Sequence, residues 1–150
     1  MGRLLSENCI VFDIDATEKN DVLMTLVREL HVAGKITDVK EFYEDVLARE
    51  AIAPTFVGFD MGLPHGKTDH VLEASVCFGR TKNPVVWNED GRDTVDLVIM
   101  IAVPVSEAGD THMKILANLS RKLMHEEFRE SLRNSSKEEV YQILSEVLEG

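Results

Sequence analysis

Residues 95–103, VDLVIMIAV, are apolar at every position except Asp96 and rich in branched side chains. A strand with one wet face alternates apolar and polar residues. A run without alternation has to be covered on both faces, as in the middle of a sheet sandwiched by helices. The longest unbroken apolar run, residues 97–105, is about half the length a helix needs to cross a bilayer. The segment therefore predicts a central buried strand, and the rest of the chain must supply cover for both of its sides.

That cover is legible as amphipathic helices. Thr17 is placed as an N-cap, and Val22, Leu23, Leu26, Val27 and Leu30 fall on one helical face, with Gly34 positioned to end the helix. Asp38 and Glu41 stand at capping-box spacing ahead of a second stripe: Val39, Phe42, Tyr43, Val46 and Leu47. Arg49 lies near that helix's C-terminal end, where a cation is favoured by the helix dipole whatever else it does. A helix after Asp110-Thr111 is expected to bury Met113, Leu116, Ala117, Ser120 and Leu123; a shorter one carries Phe128 and Leu132. A last one, capped at Ser135-Ser136, buries Val140, Ile143, Leu144, Val147 and Leu148. Further strands are expected at residues 9–14, at 72–78 and, near an edge behind Pro84, at 85–87. Helices and strands intermix along the whole chain, which predicts an α/β fold: one sheet with helices packed on both faces.

With 150 residues and no linker, repeat or low-complexity tract, residues 1–150 are expected to form a single domain. The net charge of −11, from 16 basic and 27 acidic residues, disfavours nucleic acid and anionic membranes as partners. Cys9 and Cys77 have neither redox-motif nor zinc spacing and sit in apolar runs, so they are expected to be buried, reduced thiols. The first seven residues contain no long apolar stretch of the secretory kind, and the chain is expected to be cytosolic, with no membrane insertion.

Residues 51–70, AIAPTFVGFDMGLPHGKTDH, break all periodicity and are expected to be an irregular, functional segment. Gly66-Lys67-Thr68 looks like the end of a phosphate-binding P-loop. That motif needs a glycine five positions before Gly66, and Met61 stands there. The alternative centre is His65, held between Pro64, which fixes the backbone, and Gly66, which leaves room for a close approach, including that of a second protein. A neutral imidazole nitrogen is a competent nucleophile for phosphorus, and a local carbonyl on the other nitrogen would set the tautomer. By itself, such a histidine is usually an ordinary loop residue.

The stretch from Arg49 to Val71, REAIAPTFVGFDMGLPHGKTDHV, resembles the signature of the fructose/mannitol-type enzyme IIA domains of the bacterial sugar phosphotransferase system, with an R-E pattern, a glycine-rich loop and a P-H-G element. The segment Asp110-Thr111-His112-Met113-Lys114-Ile115-Leu116 is similar to the family's second histidine segment, and the likeness covers essentially the entire chain. The resemblance implies one mixed five-stranded sheet between helices. It also implies that His65 accepts a phosphoryl group from the carrier protein HPr and passes it to a cysteine of an enzyme IIB, which works with a membrane enzyme IIC. His112 and Arg49 would stabilise the phosphoryl oxygens, with no cofactor and no metal. Phe56, Phe59 and Met61 depart from the small residues common in that loop.

Two other functions are compatible with the same residues: a regulatory relative whose His65 phosphorylation controls binding to a regulator, and a metal-dependent hydrolase using His65, Asp69, His70 and His112. Lys67, His31 and His125 are expected to be ordinary solvated or structural residues. Cys77 is expected in the core rather than as an enzyme IIB phosphocysteine.

Overall fold

The computed structural model describes residues 4–88, 91–107 and 110–149, with the side chains of residues 107, 110–112 and 149 left out. The strand expected from its unbroken apolarity is β6 (Thr94–Val103), and its residues from Val95 to Val103 are buried apart from Asp96. It is paired on both edges. On one side β5 (Ser75–Val86) runs antiparallel to it, and β1 (Leu5–Ile14) lies parallel beyond β5. On the other side lie β3 (Met61–Gly62) and β4 (His65–Lys67), both parallel to β6, with β2 (Phe56–Gly58) antiparallel to β3.

This six-stranded sheet has one strand more than the resemblance implied. The difference is local. β3 and β4 keep the same residue offset against β6, from Met61↔Leu97 to Lys67↔Val103. They are one course of chain interrupted at Leu63-Pro64, where proline has no N–H to give and its carbonyl accepts instead from Ile101 N at 2.9 Å.

Helices cover both faces. Gly79 of β5 faces α1 (Lys19–Val32), where a Cβ would stand 3.0 Å from Leu26. The next residue, Arg80, points the opposite way and donates to the carbonyls of Leu132 and Ser135, at 3.1 and 2.9 Å, at the end of α4 (Glu126–Asn134). α1 buries the expected stripe completely, and α2 (Val39–Ile52) packs beside it against β4. α3 (Asp110–Leu123) and α5 (Lys137–Glu149) pair on the other side.

Both predicted capping boxes mark real helix starts. Asp38 accepts from Glu41 N at 2.9 Å, and Ser136 and Glu139 bond each other reciprocally. Gly34 takes φ 76° just past α1, as a helix stop requires. The N-cap of α1 is Glu18 rather than Thr17.

Three sequence expectations are corrected. The strands expected at 72–78 and 85–87 are one long strand, β5, which runs from Ser75 to Val86 with its register broken between Arg80 and Val85; residues 72–74 and Trp87 lie outside it, and Leu72 is exposed. Pro84 is tolerated there because the pairing with β1 has ended by Thr81. Residues 51–70 are only partly irregular: residues 51–52 finish α2, and three short strands, 56–58, 61–62 and 65–67, are joined by turns and irregular links. The buried face of α3 is Ile115, Leu119 and Leu123, while Met113, Ala117 and Ser120 are exposed.

Candidate functional site

The site is built where α2 crosses β4. The crossing is close because Gly66 has no side chain: a Cβ there would stand 2.7 Å from the Phe42 ring. The room left by Gly66 is thus filled by the protein's own α2, not kept open for a partner as the sequence reading had it. This contact brings Arg49, in the last turn of α2, alongside His65.

Arg49 Nε–H donates to His65 Nε2 at 3.2 Å, and Arg49 Nη1 donates to the Ala53 carbonyl at 3.0 Å. On the other side of the ring, His65 Nδ1 lies 3.0 Å from the Leu63 carbonyl. A carbonyl can only accept, so Nδ1 carries the proton; Arg49 can only donate, so Nε2 carries the lone pair. Partial burial lowers the His65 pKa below its ordinary value; the Leu63 bond opposes this, and the Arg49 charge adds to it. The ring is therefore a neutral imidazole at neutral pH, with the Nε2 lone pair turned to a guanidinium.

A cleft of about 420 Å³ opens over this pair, lined by Asp45, Arg49, Ile52, His65, Lys67 and Thr68. Lys67 is exposed on its wall. The arrangement offers an anionic group one nucleophilic nitrogen and adjacent positive charge, which is what phosphoryl chemistry uses.

Of the residues singled out from the sequence, the structure brings Arg49 and His65 together. His112 falls in the first turn of α3, and its side chain lies outside the described residues. His70 is engaged elsewhere: its Nδ1 bonds Asp45 at 2.6 Å and its Nε2 bonds Glu41 at 2.5 Å. Both carboxylates accept, Thr68 Oγ1 lies a further 3.1 Å from Nδ1, and the Asp45 bond raises the His70 pKa above its ordinary value, toward the charged form. Among the described residues no group of three or more His, Cys, Asp or Glu side chains is placed to hold a metal ion. His31, expected to be structural, is exposed at the end of α1, and His125 is exposed as expected. Cys9 and Cys77 are free and buried. Met61 is buried in the core, and Phe59 sits in the β2–β3 turn at φ 55° with the Arg129 guanidinium 3.7 Å over its ring.

One residue that matters here enters the sequence analysis only as the glutamate of the R-E pattern, with no role assigned. Glu50 is only 8% exposed and accepts from both Thr55 N and Thr55 Oγ1. The available signal was its position: it follows Val46 by four and Leu47 by three, so a carboxylate stands on the apolar face of α2.

Comparison with known proteins bears directly on this geometry. Residues 3–147 match the family model "Phosphoenolpyruvate-dependent sugar phosphotransferase system, EIIA 2". The chain is 40% identical over 118 residues to the fructose-specific EIIA component of the PTS system of Haloferax volcanii, covering 78% of this chain and 76% of that one. Other relatives, 35 or 36% identical, are far longer, and the chain spans 15 to 21% of their length. Among solved structures it resembles the nitrogen regulatory protein IIA-Ntr of Neisseria meningitidis (31% identity, TM-score 0.84, covering 94% of this chain and 96% of that one). It also resembles a chain in the complex of enzyme IIAMTL and phosphorylated enzyme IIBMTL from Escherichia coli (27% identity, TM-score 0.80, covering 95% and 99%). The mixed sheet, the helices on both its faces and a match running through nearly every residue establish that the chain belongs to the EIIA 2 family of the phosphoenolpyruvate-dependent sugar phosphotransferase system.

Proposed function

We propose that the whole chain acts as one phosphocarrier unit in the cytoplasm. It accepts a phosphoryl group from the phosphohistidine of HPr on His65 Nε2 and donates it to a cysteine of a fructose/mannitol-class enzyme IIB that serves a membrane enzyme IIC. The observation that carries this is the Arg49–His65–Leu63 arrangement. It leaves Nε2 as the ring nitrogen with a lone pair and puts a guanidinium beside it. The fructose-specific name of the Haloferax relative and the IIA–IIB complex among the structural neighbours support the substrate class and the enzyme IIB partner.

The chemistry follows from the geometry. The Nε2 lone pair attacks phosphorus as the donor's P–N bond breaks, and the donor ring leaves with that electron pair. Nδ1 keeps its proton, so the phosphorylated ring becomes cationic, and the Leu63 carbonyl stabilises that N–H. The Arg49 Nε–H, which points at the lone pair before reaction, turns to the phosphoryl oxygens once the N–P bond exists. His112, at the start of α3, supplies further stabilisation of those oxygens. In the second step a thiolate attacks phosphorus, the S–P bond forms and Nε2 recovers its lone pair. No step needs the ring to gain or lose a proton, so a neutral histidine is the right starting state.

A regulatory role for the same phosphorylation is the second reading, favoured by the likeness to IIA-Ntr. Incubation with labelled phosphoenolpyruvate, enzyme I and HPr is expected to label the wild type and not His65→Ala; equal labelling of both would overturn the assignment. Onward transfer to the host's enzyme IIB separates transport from regulation: transfer supports the first, and a phosphoprotein that transfers to none supports the second.

A further inference from the structure

A buried carboxylate needs a reason, because an apolar residue packs on the inner face of a helix without desolvating a charge. Glu50 has two sets of partners. Lys19 Nζ, at the start of α1, lies 3.3 Å from its Oε2, donates to the Trp87 carbonyl at 3.3 Å, and stands 4.8 Å over the Trp87 ring. Lys19 thus sets a counter-charge beside the buried carboxylate. The other partner is Thr55, which gives Glu50 both its backbone N–H, at 2.8 Å to Oε2, and its hydroxyl, to Oε1.

The second set leads to the reacting ring. The Thr55 carbonyl accepts from Leu63 N at 2.8 Å, and the Leu63 carbonyl accepts from His65 Nδ1 at 3.0 Å. Between Thr55 and Leu63 lies the β2–β3 hairpin, whose turn residues Phe59 and Asp60 take φ 55° and 62°, so this stretch is not held by its intrinsic preferences. Glu50 fixes one base of the hairpin, and Leu63 leaves from the other. Arg49 and Glu50 are consecutive in α2. The first addresses Nε2 directly, while the second addresses Nδ1 through Thr55 and Leu63.

We propose that Glu50 is a positioning residue for His65: it holds Thr55, and through it the Leu63 carbonyl, so that the imidazole keeps its proton on Nδ1 and offers Nε2 alone to phosphorus. The idea rests on the phosphocarrier reading for its consequence, but the tautomer it predicts exists without any phosphoryl donor. Gln at position 50 has one acceptor oxygen where Glu50 has two and carries no charge, so the Thr55 hydroxyl has to turn round and accept from the amide while Lys19 loses its counter-ion. The hairpin base then loosens and Leu63 releases Nδ1.

The test uses the full chain with Glu50→Gln, Thr55→Val and Thr55→Ser. Long-range ¹H–¹⁵N correlation of the His65 ring at pH 8 reads the tautomer, and labelling from phosphoenolpyruvate with enzyme I and HPr reads the rate. Wild type and Thr55→Ser are expected to show the Nδ1–H form alone. Glu50→Gln is expected to populate both tautomers and to label about tenfold or more slowly, a loss of the size that misorientation produces, with part of the label on Nδ1. Thr55→Val, which loses only the hydroxyl, is expected to lie between them. A folded Glu50→Gln with only the Nδ1–H tautomer and the wild-type rate overturns the proposal. If Glu50→Gln does not fold, Thr55→Val with wild-type tautomer and rate does so. A wild type that takes no label removes the phosphocarrier reading, while the tautomer comparison still decides the role of Glu50.

Discussion

His65 and His70 share one short segment and end in opposite states. His65 meets a carbonyl and a guanidinium: one acceptor and one donor, which match the two nitrogens of a neutral imidazole. His70 meets Asp45 and Glu41: two acceptors, which match an imidazolium. Burial pushes the first pKa down, and two carboxylates push the second up. On the proposed function, the partners that α2 presents are what make His65 rather than His70 the nucleophile. Arg49, near its end, meets His65, and Glu41 and Asp45, from its first half, meet His70. One helix, laid across one strand, gives the two rings opposite sets of partners.

The comparison breaks most sharply by removing the rings. On the proposed role, His65→Ala reduces labelling to background. His70→Ala leaves it within about threefold, because partly exposed ion pairs are worth little. A His70→Ala protein as dead as His65→Ala would contradict the division of roles. Next comes the donor that distinguishes them. Arg49→Met is expected to slow labelling about a hundredfold to a thousandfold, the range for losing one charge-stabilising donor, and to raise the His65 pKa, since a cation and a donor to the neutral ring are both gone.

The close crossing that permits the contact is sharpened by Gly66→Ala. The added methyl would have to displace the buried Phe42 ring from 2.7 Å. Overpacking of that kind costs about 1–3 kcal/mol, readable by denaturant unfolding. The smallest effect is a pH titration by NMR. His65 is expected to titrate below the ordinary 6.5 and His70 above it. The signs follow for stability. The favourable contribution of neutral His65 is present above 6.5 and lost as pH falls through its lowered pKa. That of charged His70 is present below 6.5 and lost as pH rises through its raised pKa. Titration of both on the same side of 6.5 would contradict the partner argument.

What the sequence shows and hides divides along the range of the interactions. The centrality of β6, the stripe of α1 and the caps at Asp38 and Ser136 depend on residues a few positions apart, and periodicity reports them directly. The strands at Met61 and His65 were invisible because what makes them strands is pairing with β6, some thirty-six positions away (Met61↔Leu97), and the strand at Phe56 exists only through its pairing with β3. β5 looked like two strands because Arg80, Thr81, Lys82, Asn83 and Pro84 interrupt its apolar pattern just where the partner strand β1 has run out. On α3, Met113 and Leu116 with the small residues Ala117 and Ser120 suggested the wrong face; packing selected Ile115, Leu119 and Leu123.

His65 stood out as soon as the P-H-G element and its relatives' pattern were considered together. The tautomer did not, because it depends on the Leu63 carbonyl and on an Arg49 side chain brought in by the tertiary approach of α2. Glu50 lay in plain view on an apolar face, but its meaning depends on Thr55 and Leu63 folding back toward it.

The central claim is that His65 Nε2 is the reacting atom because the fold leaves it as the ring nitrogen with a lone pair. Enzymatic phosphorylation of uniformly ¹⁵N-labelled protein, followed by ¹H–¹⁵N correlation of the histidine rings and ³¹P–¹⁵N coupling, locates the new bond. The account predicts a single phosphohistidine, at His65, with phosphorus on Nε2 and a proton retained on Nδ1. Phosphorus on Nδ1 of that ring, or on any other residue, would contradict it.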